Sequence, residues 1–125
     1  MATTTDARRE TVSLIGSDKV EGTAVYGADR NKIGSIERVM LDKSSGKVAY
    51  AVLSFGGFMG IGEDYYPLPW SSLTYDTNLG GYIVPNITSD KLKGAPKYSK
   101  ASSWDWSNRD NDRRVYDYYN QPLWY

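Results

Sequence analysis

The chain predicts a mainly β fold: a small closed or partly open antiparallel β-barrel of five to six strands, with a short C-terminal helix. Three observations carry that expectation. Short apolar runs alternate with turns rich in Gly, Asn, Asp and Ser, which is the pattern of consecutive short strands. Helical periodicity is too scarce to cover an open sheet, so closure is the simplest way to satisfy the strand edges. The stretch Phe55–Trp70 (FGGFMGIGEDYYPLPW) joins a glycine turn to a strand carrying Pro67 and Pro69, a mixture unsuited to helix.

With 125 residues, 40% of them hydrophobic, the chain is long enough for one domain with its own core. Residues 1–13 are polar and without period and read as a flexible tail; 14–98 read as the β domain, and 99–125 as an aromatic-rich extension with a short helix.

Val20–Tyr26 reads as the first strand, with Gly22 permitting a bend, and Gly27–Lys32 as turn chemistry. A second strand is expected over 33–41. Asp42–Lys47 is the clearest hairpin signal, because Gly46 can take the positive φ such a turn requires. Val48–Phe55 is apolar or small at nearly every position, which predicts a strand covered on both faces. Tyr65–Pro69 is expected at an edge or broken early, since its prolines cannot donate to a ladder. A single helical turn at Trp70–Leu73, a turn at Asn78–Gly81 and a last strand at Tyr82–Val84 follow. Ser89 is placed to cap a helix over Asp90–Lys93, ended by Gly94 and Pro96.

The last segment holds Trp104, Trp106, Tyr116, Tyr118, Tyr119, Trp124 and Tyr125. Disordered tails are poor in aromatics, so this one is expected to dock, either on its own barrel or on a second chain. Ser107 or Asn108 can cap a helix reaching about Tyr119, with Pro122 beyond its end.

Composition narrows the function classes. There is no cysteine and no histidine, so disulfides, thiolate ligands, the usual general base and the commonest metal ligand are all missing. Fifteen basic and fifteen acidic residues give zero formal charge, and no basic field draws in phosphate. No apolar run approaches the roughly 20 residues of a membrane span, and the N-terminus lacks a secretory pattern, so a cytoplasmic protein is expected.

Motifs that mimic chemistry read better as structure. Gly56, Gly57, Gly60 and Gly62 lack the Lys-Ser or Lys-Thr of a phosphate loop and are followed by Glu63 and Asp64. Asp29–Gly34 opens like a calcium loop, but its twelfth position is Met40 instead of a glutamate. Glu63, Asp64 and Tyr65 are the one cluster capable of acid–base work, and a solvated turn is the better reading. Asn86-Ile87-Thr88 matches a glycosylation sequon without a secretory signal to support it. Arg109, Arg113 and Arg114, interleaved with Asp105, Asp110, Asp112 and Asp117, read as a solvated helix face.

Taken in order, several segments resemble the PRC-barrel. These are Val20-Glu21-Gly22 with Val25-Tyr26, Lys32–Ile36, Leu41-Asp42 with Ser45–Val48, Val52-Leu53 through Gly56–Glu63, and Pro67–Trp70. That family includes the cytoplasmic domain of the photosynthetic reaction centre H subunit, the C-terminal domain of a ribosome maturation factor and many stand-alone bacterial proteins. The reaction centre subunit's membrane helix and the ribosome factor's N-terminal domain have no counterpart here, so the likeness is to the barrel alone. The resemblance implies a barrel that binds macromolecules and carries no common catalytic residues. The expectation is therefore a non-catalytic interaction or assembly module without cofactor or metal. Its partner is a protein, with homodimerisation favoured over direct nucleic-acid contact or membrane insertion. A ribosome- or RNA-processing-associated factor and a small-ligand-binding barrel are the alternatives. The candidate interaction surface comprises Phe55, Phe58, Met59, Ile61, Tyr65, Tyr66 and Trp70 from the glycine loop and its strand. Trp104, Trp106, Tyr116, Tyr119 and Trp124 complete it from the extension.

Overall fold

The computed structural model describes residues 9–56, 63–100 and 102–125. Seven strands form one sheet: β1 (Ala24–Tyr26), β2 (Lys32–Leu41), β3 (Val48–Phe55), β4 (Asp64–Pro69), β5 (Thr74–Asp76), β6 (Gly81–Ile83) and β7 (Tyr98–Ser99). Three helices accompany them, α1 (Ser17–Val20), α2 (Ser89–Leu92) and α3 (Arg109–Tyr118).

The centre of the sheet follows from local chemistry. At the turn between β2 and β3, the Asp42 carboxylate accepts the backbone N–H groups of Ser44 (2.9 Å) and Ser45 (3.2 Å), and Gly46 sits at φ 75°. This turn sets the pairing of Met40 with Tyr50 and Val39 with Ala51. β3 then pairs with β4 from Tyr50↔Pro69 to Phe55↔Asp64. β7 covers β4 only at Asp64 and Tyr65, so Pro67 and Pro69 lie where no further ladder asks for their missing N–H.

Several expectations are corrected. The strand order is linear, β5-β6-β1-β2-β3-β4-β7, so the described sheet is open and has seven strands instead of five or six. It is also mixed, because β6 runs parallel to β1 (Val25↔Tyr82, Tyr26↔Ile83). The chain leaves β4 through a 3-10 turn at Trp70–Ser72 and carries the β5–β6 ribbon to the far side of β1. Turn residues show where a strand ends and are silent on which neighbour it finds. The expected strand from Val20 begins only at Ala24. Val20 closes α1 through its N–H bond to Gly16, and Gly22 takes φ 84° between the two elements. The cap of α2 is Thr88, whose hydroxyl accepts the Lys91 N–H, one residue before Ser89.

A single apolar cluster joins Val25, Ile36, Leu53 and Leu68 from the sheet, Val84 just after β6 and Leu92 from α2 to Trp104, Val115, Tyr116 and Tyr119 from the extension. Gly34 is where the packing is closest: a Cβ there would collide with the Ser54 carbonyl on β3 and touch Leu53. Backbone cannot yield as a flexible side chain does. Gly34→Ala is expected to lower stability by about 3 kcal/mol, read from the midpoint of urea unfolding at constant slope.

Candidate functional site

The extension docks through one stripe of α3. Asn108 caps the helix by accepting the Asp110 N–H (2.8 Å), and Asp112, Val115, Tyr116 and Tyr119 follow at helical spacing on one face. Val115 and Tyr116 are buried, and so is Asp112, at 2% exposure. A carboxylate taken that far from water needs donors. Tyr50 supplies the main one, its hydroxyl donating to Asp112 at 2.5 Å. The Tyr125 hydroxyl lies at 3.5 Å and the Arg109 guanidinium at 3.9 Å.

Tyr50 is boxed by rings. Trp106, Tyr116 and Trp124 each stand edge-on to it, with centroids 5.3, 5.5 and 5.3 Å away. Burial first, and the Asp112 hydrogen bond second, push the Tyr50 phenol far above its ordinary range. The Tyr116 hydroxyl donates to the Ala49 carbonyl, so β3 is gripped on backbone as well as side chain. At the chain end the Trp124 indole N–H donates to Asp42 (3.1 Å), and the Arg109 guanidinium lies 3.8 Å over the Tyr125 ring. Asp42, with the Ser45 and Ser44 N–H groups and this indole as donors, is held below the usual carboxylate range.

The structure separates the sequence-selected residues into three places. Trp104, Trp106, Tyr116 and Trp124 join Tyr65 through Tyr98 in one aromatic network, with Tyr65–Tyr98 centroids 5.4 Å apart. Phe55 and Tyr66 pair at 5.7 Å. Trp70 packs on Tyr82, which Tyr75 meets edge-on, at the other end of the sheet. Tyr65, Tyr66, Trp104, Tyr116 and Tyr119 are buried within the chain itself, whereas Phe55, Trp70, Trp106 and Trp124 are half-buried. Phe58, Met59 and Ile61 lie outside the described residues.

Sequence reasoning missed Tyr50, Tyr98, Asp42 and Asp112. Asp112 carried a usable signal, since it stands three and four residues before Val115 and Tyr116 and so shares their face.

The carboxylates once considered for acid–base work each have a structural partner. The Ser54 hydroxyl donates to Glu63, Lys97 donates to Asp64 at 2.9 Å, and Tyr65 stacks on Tyr98. Asp29 accepts both the backbone N–H (3.0 Å) and the side-chain amide (3.1 Å) of Asn31, which is turn chemistry. Among the described residues no three acidic side chains converge as a metal site. Nor is any helix there long and apolar enough to cross a membrane.

Comparison with known families matches residues 14–91 to the PRC-barrel domain. The chain belongs to the PRC-barrel family. An uncharacterized protein of Deinococcus radiodurans is 23% identical to it over 94 residues, 75% of this chain and 33% of the relative. The chain thus spans about a third of that relative's length. The matched segment ends at residue 91, before α3 and the aromatic residues of the extension.

Two outcomes follow from the Tyr50 box. Tyr50→Phe keeps the ring contacts and strands a buried carboxylate, and should lower urea stability by about 2–3 kcal/mol. In alkaline titration, Tyr50, Tyr116 and Tyr119 are all raised by burial above their ordinary 10.0. Their contribution to stability is therefore complete below that value and lost as pH rises toward the folded-state values. Tyrosinate absorbance should show these phenols ionising last, together with loss of near-ultraviolet dichroism.

Proposed function

We propose that this PRC-barrel chain is a non-catalytic protein-interaction module that associates with itself and acts in the cytoplasm. In this reading 14–98 form the binding unit and 99–125 its fixed cover. The observation that carries it is the open sheet. Unpaired strand edges present N–H and C=O groups in a row, and adding a strand from another chain satisfies them. The side chains with reactive potential support the non-catalytic half, because Asp112, Glu63, Asp64 and Tyr50 are each engaged in bonds that hold elements together. The buried candidates Tyr65, Tyr66, Trp104, Tyr116 and Tyr119 serve binding by making a rigid platform, and contact with a partner falls to exposed groups around them.

Sedimentation equilibrium of the full chain from about 1 μM to about 1 mM should give a mass moving from monomer to dimer. A monomer across the whole range removes the self-association.

A further inference from the structure

We infer that the outer edge of β2 from Arg38 to Asp42 is the docking site for a second copy of this chain, paired antiparallel about Met40. The inference rests on the self-association just proposed and says where it occurs.

β1 follows β2 only part of the way. Its ladder reaches Ala24↔Ser35, and two further bonds join Gly22 N–H to the Ile36 carbonyl and Ile36 N–H to the Thr23 carbonyl. From Glu37 to Leu41, β2 continues with β3 alone. Among the described residues, no backbone or side-chain hydrogen bond reaches the outward side of that stretch. The sheet's terminal strands, β5 and β7, have three and two residues, which leaves β2 the longer unpaired edge. The irregularity between Ile36 and Arg38 makes Glu37 the extra residue of a bulge, and the second one, between Met40 and Leu41, puts its extra residue, Ala49, on β3, so β2 itself runs without an inserted residue from Arg38. At its centre Val39 and Met40 are half-buried, and Leu41 is 56% exposed.

The sequence of this edge is its own complement. It reads Glu37-Arg38-Val39-Met40-Leu41-Asp42-Lys43. A twofold axis through Met40 sets Arg38 opposite Asp42 of the second copy, Val39 opposite Leu41, and Glu37 beside Lys43. Every opposite-charge pair then occurs twice, and the apolar residues meet one another. Moving the axis to Val39 would put Glu37 against Leu41 and Arg38 against Met40. Moving it to Leu41 would put Asp42 against Met40 and Lys43 against Val39. Met40 is the one of these centres at which charge and apolarity both match.

The two charges are prepared for the pairing. Asp42 is fixed at the strand end by Ser44, Ser45 and Trp124. Arg38 is exposed, and its nearest carboxylate, Glu37, is 3.9 Å away. With a formal charge of zero, two copies meet without long-range repulsion.

The chain has no cysteine, so Met40→Cys introduces a single thiol. On the twofold the two thiols face each other across adjacent strands, within disulfide reach. Mild oxidation should give a covalent dimer for Met40→Cys and not for Ser71→Cys, an exposed site elsewhere. Arg38→Glu should raise the dimer dissociation constant roughly tenfold with the thermal melt of the monomer unchanged, since it sets like charges opposite each other twice. A wild-type dimer that neither crosslinks at Met40→Cys nor responds to Arg38→Glu overturns this edge and leaves self-association standing. A wild-type monomer at all concentrations overturns both. Crosslinking without a response to Arg38→Glu keeps the edge and overturns the charge pairing.

Discussion

Burial of both faces of β3 is the constraint from which the rest of the structure follows. Six of its eight residues, Ala49 to Ser54, are buried. Successive side chains point to opposite sides, so one layer cannot cover them all. Tyr50 stands on the side taken by the extension, and a phenol enclosed by three rings needs an acceptor. Asp112 provides it, and in doing so fixes the rotation of α3, because Val115, Tyr116 and Tyr119 share its face. The dependence runs both ways: each polar group is tolerable inside only because the other is there.

Covering β3 with aromatics makes closure of the sheet unnecessary. The β5–β6 ribbon crosses to β1, α3 contacts β4, and one continuous core runs through both regions. A closed barrel hides every edge, whereas a sheet covered on its face still exposes its sides. The seven strands therefore combine a well-filled interior with unpaired backbone, its longest run along β2.

Segments governed by local chemistry were legible in the sequence. The Asp42–Gly46 turn, β3, the 3-10 turn after Pro69 and the Asn108 cap of α3 depend on residues within a few positions of one another. The parallel β1–β6 pairing, the two-residue β7 and the open order depend on which distant strand fills a position, and no local signal encodes that. The candidate surface was legible in another limited sense. Composition measures how much aromatic area must be covered, and it does not say by what. Tyr116 and Tyr119 proved to be covered by their own chain. Asp112 was hidden among Asp110, Arg113 and Arg114 as one more charge on a polar helix, although helical spacing puts it on the apolar stripe.

The cover and the open edge are linked through Asp42. Its carboxylate caps the turn after β2 with one oxygen and receives the Trp124 indole with the other. The end of β2 is thus held by a residue from the far end of the chain. An edge that adds a strand works best when its geometry is set before the encounter, since ordering it during binding would cost conformational entropy at that moment. The aromatic extension can therefore matter to the proposed association without touching a partner. It sets the position of Asp42, and Asp42 is one of the two charges on which the proposed register rests.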